Sequence, residues 1–358
     1  MTRVLLDCRM AEWTGVGRYT KGLVRALART SGIEVVQAVD TGPAPEPDAE
    51  TVHAGGIPLA PRGWWSLGSA ARHVRPDVVH SPHFPVPMPA PHPLVATLHD
   101  LTPLRVPGVM PSAVQRAIFA RMVGRAARVS DALITGSHHA ADDIARSFPA
   151  ARGKLRVIAH GVDDFASGAV GTLPAELAGA GPYILGFANT RPHKGLDVLL
   201  RAFAELVADD PAPVLALVGP PAPDAIARAI ADPGVRERVR VLGRADDDTL
   251  RALYKGALVF AFPSLYEGFG LPPLEAMSFG TPAVCSDATA IPEVVGDTAL
   301  LFAAGDAHAL AARLREIIHN EPLRERLRQA GTARVSAFTW DAAAAATVRV
   351  YEEVVSAR

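Results

Sequence analysis

The sequence predicts an α/β protein of two doubly wound domains, each a parallel sheet covered by helices on both faces. Three observations carry that expectation. Short apolar runs alternate with helical patterns, and the same texture restarts after residue 165. The chain, at 358 residues, exceeds what one hydrophobic core usually serves. The strand candidates are continuously apolar rather than alternating, which belongs to parallel sheets buried on both sides.

The elements follow in order. RVLLD (3–7) reads as the first strand and RYTKGLVRALART (18–30) as the helix after it. PDVVH (76–80), LVATLHD (94–100) and ALIT (132–135) are further strands, and the Pro-rich stretches at 43–47 and 82–93 are loops. HGVDDFASGAVGTLP (160–174), rich in glycine and small residues, marks a boundary. Beyond it come the strands YILGFA (183–188), VLALVG (214–219), VRVLG (239–243), LVFAFPS (258–264) and PAVCS (282–286), with helices at 195–208 and 248–255. SAFTWDAAAAATVRVYEEVV (336–355) reads as one long helix. The expected organisation is a domain over 1–165, a second over 166–335, and a helix within 336–358 that returns to the first domain.

Composition narrows the function. Apolar residues make up 49%, charged residues 20%, and the net charge is −1. That is a globular protein with no general affinity for nucleic acid, so any anion site must be local. Cys8 and Cys285 both adjoin apolar runs, which predicts buried, reduced thiols suited to the cytoplasm, and they form no metal-ligand spacing. MTRVLLDCRM runs straight into a strand pattern without the apolar region of a signal peptide, and no uncharged run reaches about 18 residues. No membrane span is expected.

Open α/β sheets bind ligands at the carboxyl ends of their strands, and two such edges facing one another would line a cleft. Chemistry is therefore sought just after strands. TGVGRY places Gly15 and Gly17 at the opening of a helix, as a phosphate- or sugar-approaching loop or as a mere turn. ATLHDLTPL puts His99 and Asp100 at a strand end, where the histidine can donate to a sugar hydroxyl or a developing charge, or be satisfied by backbone. His80 and His83 in VVHSPHF are similarly placed and could shape an acceptor pocket. ANTRPHKGL offers Arg191, His193 and Lys194 before a helix, a credible diphosphate site or a solvated loop. Asp246, Asp247 and Asp248 are read as helix capping, with no metal assigned. In SLYEGFGLPPLEAMSFGTPAV, Glu267 and Glu275 flank an uncharged turn and a helix opened by proline.

That last stretch, with TGVGRY, TLHDLTPL, RPHKGLDVLLRAF, VLGRADDDTLRALYKGA and IPEVVGDTALLF in this order, resembles the family 4 retaining glycosyltransferases of the GT-B architecture, which pairs two Rossmann-like domains. The GVGRYT and HDLTPL pair looks like the branch with many GDP-mannose-dependent mannosyltransferases. The resemblance implies that Glu275 holds the ribose of a nucleotide sugar and that Glu267 lies beside the transferred sugar. Gly268, Phe269, Gly270 and Leu271 would meet sugar and phosphate through their amides, and the Gly17 amide would complete the phosphate pocket. Lys194 would neutralise the leaving diphosphate, His99 would approach the sugar, and Gly243 and Arg244 would contact the base. Many members carry glycine and arginine where this chain has Ala188 and Asn189, so Asn189 and Arg191 become the candidates for that phosphate contact. His160 replaces the asparagine of NGVD.

The implied reaction is transfer of a glycosyl unit, mannose being the best guess, from a nucleoside diphosphate sugar to an acceptor hydroxyl. It would proceed with retention, without metal or cofactor, and with the diphosphate assisting deprotonation of the acceptor. A sugar-nucleotide 2-epimerase and a non-catalytic sugar-nucleotide-binding protein are the rival classes. Residues 101–130 hold five arginines and no acid, with Arg121, Arg125 and Arg128 on one helix face. That pattern suits either peripheral contact with an anionic membrane or a solvated helix face.

Overall fold

A computed structural model describes residues 1–56, 58–209 and 213–357. The first half runs β1 (Thr2–Asp7), α1 (Thr14–Arg29), β2 (Ile33–Val39), β3 (Glu50–His53), α2 (Pro61–Val74), β4 (Val78–Ser81), β5 (Leu94–Thr97), α3 (Thr102–Arg105), α4 (Ala113–Val129), β6 (Ala132–Thr135), α5 (His138–Ser147) and β7 (Leu155–Val157). It continues with α6 (Asp163–Ala166), β8 (Tyr183–Phe187), α7 (Leu196–Asp209), β9 (Val214–Val218), α8 (Pro223–Ala229), α9 (Pro233–Arg236) and β10 (Val239–Val241). Then come α10 (Asp247–Gly256), β11 (Val259–Phe262), α11 (Leu271–Ser278), β12 (Ala283–Ser286), α12 (Ile291–Val295), β13 (Leu300–Phe302), α13 (Ala307–His319), α14 (Glu321–Val335) and α15 (Trp340–Ser356).

The chain divides into two compact units. The first is Met1–Leu104, Met110–Gly161 and Phe338–Arg358; the second is Arg105–Val109 and Val162–Ala337. The division at Gly161–Val162 has a physical cause. Arg251 on α10 donates to the Phe165 and Ala169 carbonyls, pairs with Asp248, and lies 5.0 Å over the Phe165 ring. Residues that the sequence assigned to the end of the first domain are thereby stapled to the second.

In the first unit seven parallel strands take the order β3-β2-β1-β4-β5-β6-β7. One face is covered by α2, α4 and α5, through Leu67, Phe119, Val123 and Ile144. The other carries α1 and α15, through Leu23, Leu27, Trp340 and Tyr351. In the second unit six parallel strands run β10-β9-β8-β11-β12-β13. Each order reverses direction once, between β1 and β4 and between β8 and β11, and such switch points are where open α/β sheets bind ligands.

The structure adds β2, β3, β7 and β13 to the expected strands. β2 hides a buried glutamine: the Gln37 amide donates to the Glu46 carbonyl at 2.7 Å and accepts from the Glu46 N–H at 2.9 Å. The side chain thus satisfies itself locally, as buried amides must. β3, β7 and β13 are only three or four residues long and flank the sheets. Among the described residues no helix is long and apolar enough to cross a membrane, and Cys8 and Cys285 are free and buried.

Candidate active site

At the switch point of the second unit, the loops after β8 and β11 are sewn together. The Leu265 N–H donates to the His193 carbonyl at 2.7 Å. Gly195, at φ +65, lies so close that a Cβ there would sit 2.2 Å from the Pro263 carbonyl oxygen. Only glycine tolerates both conditions. Across this seam Lys194 Nζ meets Glu267 Oε1 at 2.6 Å, with both side chains partly buried. The cation is therefore held in place by a carboxylate.

Glu267 is fixed in turn by Thr289, which follows β12. The Thr289 hydroxyl accepts from the Glu267 N–H and donates to the Glu267 carbonyl, both at 2.9 Å. Thr289 stands at φ +52, a conformation unfavourable for a β-branched residue. Nothing in the sequence around Thr289 signalled this clasp.

From Glu267 the chain passes through buried Gly268 and Phe269 to Gly270, which enters α11 at φ +107. Leu271, rather than a proline, is the first helical residue, so Pro272 and Pro273 fill the second and third positions. Prolines fit there because first-turn N–H groups lack intrahelical partners. They also leave Leu271 as the N–H donor among the first three residues. Glu275 falls beyond the first turn and is only 4% exposed. Its Oε2 accepts from the buried Tyr254 hydroxyl at 3.1 Å, so a phenol on α10 orients the carboxylate.

The neighbouring strand ends supply weaker features. Asn189 Oδ1 accepts from the Arg191 N–H at 3.1 Å, while the Arg191 side chain is exposed. Gly243, at φ +72, accepts through its carbonyl from the Gly219 N–H at 2.8 Å, and Arg244 beside it is exposed. Asp246 caps α10 through the Thr249 N–H at 2.8 Å.

The first unit places a buried polar cluster at its own switch point. Asp7, ending β1, accepts two bonds from Arg9, at 2.7 and 2.8 Å, and Arg9 also donates to the Gly63 carbonyl at 2.8 Å. Burial alone would raise the Asp7 pKa, but bonds from Arg9 and His83 and the nearby guanidinium hold it well below the usual carboxylate range. The His83 ring is buried 3.4 Å from Asp7. His99 Nε2 lies 2.9 Å from the Pro82 carbonyl, so Nε2 must carry the proton. Burial lowers the His99 pKa. The backbone thus satisfies Nε2, the second of the two readings the sequence leaves open for His99.

Residues 175–334 match the model described as Glycosyl transferases group 1, and residues 13–164 that of Glycosyltransferase Family 4. The chain belongs to the family 4 glycosyltransferases. It is similar to O-antigen chain mannosyltransferase B of Escherichia coli, at 29% identity over 95% of this chain and 96% of the relative. It is 35% identical to the MMP alpha-(1->4)-mannosyltransferase of Mycolicibacterium hassiacum, over 66% of this chain and 58% of that one. Its fold is GT-B: a sucrose-phosphate synthase from Thermosynechococcus elongatus superposes with a TM-score of 0.80 at 21% identity, covering 100% of both chains.

Within this glycosyltransferase four expectations change. His80 lies in the core with both nitrogens engaged, Nδ1 with the Tyr351 hydroxyl at 2.6 Å and Nε2 with Thr97 at 2.9 Å, so it offers an acceptor substrate nothing. His83 is likewise buried against Asp7. Asp100 caps α3, accepting from the Thr102 N–H at 2.8 Å. Gly17 sits inside α1, and its N–H already donates to the Trp13 carbonyl at 2.9 Å, so its amide is unavailable to a phosphate. Its missing side chain has another reason: a Cβ would lie 2.3 Å from the Ala11 carbonyl oxygen. Exposed Gly15, one residue inside the helix, retains a first-turn position. His160 is buried, its ring 4.7 Å from that of Tyr19.

Proposed function

We propose that this glycosyltransferase moves mannose, with retention, from GDP-mannose to an acceptor hydroxyl. The observation that carries the reading is the Lys194–Glu267 pair fixed at the β8/β11 switch point. A diphosphate arriving at the α11 N-terminus would draw Lys194 from Glu267 and free that carboxylate for the sugar. As the glycosidic C–O bond breaks, negative charge grows on the leaving phosphate, and a cation already in place stabilises it more in the transition state than in the ground state. The departing phosphate oxygen accepts the acceptor's proton. Buried Glu275, aimed by Tyr254, takes the ribose hydroxyls.

The mannosyl choice is supported by the two mannosyltransferase relatives. Cationic charge from Lys194 and the helix terminus serves the leaving group, so the proposal includes turnover in the presence of a chelator and without a cofactor. A cytoplasmic location, where nucleotide sugars are made, belongs to the same reading. A panel of GDP-mannose, GDP-glucose, UDP-glucose and UDP-galactose, scored by nucleotide release with and without acceptor alcohols, tests it. Acceptor-dependent release from GDP-mannose with an α-linked product is expected. Preference for a UDP-sugar, an inverted product, or conversion of the donor without acceptor would each overturn it.

A further inference from the structure

The arginines of this protein follow two different habits. On the helices of the second unit they pair within their own helix: Arg201 with Asp197 at 3.0 Å, Arg313 with Glu316 at 2.8 Å and Arg328 with Glu325 at 2.8 Å. On α2 and α4 of the first unit no such pairing can occur, because neither PRGWWSLGSAARHV nor AVQRAIFARMVGRAARV contains an acid. Arg125 donates to the Val86 and Pro87 carbonyls, and Arg116 to those of Met110 and Pro111. Arg62, Arg72, Arg121 and Arg128 are exposed and have no side-chain partner among the described residues. In a chain of net charge −1, that is a local concentration of uncompensated cations.

The two helices form one surface. Both cover the same sheet face, and the segment between β4 and β5 ties them together: Arg125 holds Val86 and Pro87, while the Met88 N–H donates to the Trp64 carbonyl at 3.0 Å. Helical spacing puts Arg62, Trp65, Ser69 and Arg72 on the outer side of α2, and Val114, Ile118, Arg121 and Arg128 on that of α4. Trp65 is 55% exposed, Val114 66% and Ile118 52%. In a parallel sheet each crossover helix begins at the carboxyl end of the strand before it. All three apolar residues lie in the first two turns, and hence toward the sheet edge that carries His99.

We propose that the outer faces of α2 and α4 dock on a bilayer of anionic phospholipid, presenting the carboxyl edge of the first unit to a lipid-borne acceptor. Cations alone would fit any polyanion. A tryptophan and two aliphatic side chains exposed beside them fit an interface with headgroups outside and acyl chains beneath. Four unpaired arginines attract the anionic headgroups, while Trp65, Val114 and Ile118 enter the apolar boundary.

The test is flotation of the full chain with phosphatidylglycerol or phosphatidylcholine vesicles, without nucleotide sugar, so that its outcome is independent of the transfer reaction. Binding to phosphatidylglycerol and little to phosphatidylcholine is expected. Arg121→Glu with Arg128→Glu should weaken it by at least roughly 25-fold, about fivefold for each charge removed. Trp65→Ser with Ile118→Ser should weaken it too, including at high salt. All four positions are exposed, and circular dichroism of each variant confirms the fold. Absence of flotation with phosphatidylglycerol overturns the proposal. So does flotation that survives the Trp65→Ser, Ile118→Ser pair unchanged, since the face would then be a site for soluble polyanions.

Discussion

Thr289 combines a left-handed backbone at φ +52 with a hydroxyl that clasps both main-chain groups of Glu267. A β-branched residue in that conformation is strained, and strain kept at a site edge points to a positioning role. Thr289→Val keeps the shape and strain and removes two hydrogen bonds, each worth roughly 0.5 to 1.5 kcal/mol. Turnover of donor should fall by about tenfold, with Thr289→Ser close to wild type. Equal kcat for the Val and Ser variants would rule the clasp out. The partner cation makes a second residue-scale prediction. Lys194→Ala should lower kcat by at least roughly tenfold, because a charged bond to the leaving group is worth about 1.5 to 3 kcal/mol. Glu267→Gln should separate binding from chemistry: with its counter-charge gone, Lys194 should hold GDP at least as tightly by calorimetry while turnover falls. If Glu267→Gln weakens GDP binding, Lys194 needs that carboxylate to be positioned, and the shared-cation account fails.

At the scale of elements, α15 shows how a helix can be legible while its docking is not. The run 336–355 reads as helical from the sequence, and the helix forms at Trp340–Ser356 with Thr339 capping through the Ala342 N–H at 3.1 Å. What receives it is hidden: a Cβ on Gly22 would lie 2.0 Å from the Trp340 ring, and one on Gly161 only 2.3 Å from the Trp340 backbone nitrogen. Glycine to alanine inside a helix ordinarily stabilises by about 1 kcal/mol. Gly22→Ala should instead destabilise by about 1 to 3 kcal/mol, because the indole has nowhere to go. A lowered melting temperature with red-shifted tryptophan emission is the expected result, and a raised one would place Trp340 elsewhere. The same concealment explains His80 and His99. Both stand at strand ends in similar sequence, but Val78 and His80 share the sheet face that α15 covers, so His80 meets Tyr351 while His99 Nε2 bonds the Pro82 carbonyl. Motif order made the β8 and β11 loops legible because each follows a continuous apolar strand. Thr289, Tyr254 and Arg9 were silent, since their roles depend on contacts across 22, 21 and 54 residues of chain.

For the whole molecule, titrating side chains kept neutral by burial concentrate on one side of the division between units. Burial lowers the pKa of His80 to about 3. It also lowers His99 and sends His160 well below the usual range. All three belong to the first unit. An unfolded histidine takes up its proton near pH 6.5, while these folded ones do not, so the unfolded chain binds more protons below that value. Stability is therefore full above about pH 6.5 and declines as the pH falls toward the folded values, by up to about 1.4 kcal/mol per pH unit for each ring. Asp7 adds nothing in this window, because its depressed pKa matters only below the ordinary carboxylate range. Trp13, Trp64, Trp65 and Trp340 are the four tryptophans of the chain and all lie in the first unit. Tryptophan fluorescence thus reports that unit, whereas far-ultraviolet circular dichroism reports the helices of both. Melting followed by fluorescence should fall steeply between about pH 7 and about pH 5, and the circular dichroism curve should broaden as only part of its signal moves with it. His80→Gln, which keeps a polar side chain that gains no proton, should flatten the fluorescence trend by roughly one third. Parallel shifts of both signals, with no change in His80→Gln, would show that the acid sensitivity arises outside these three rings.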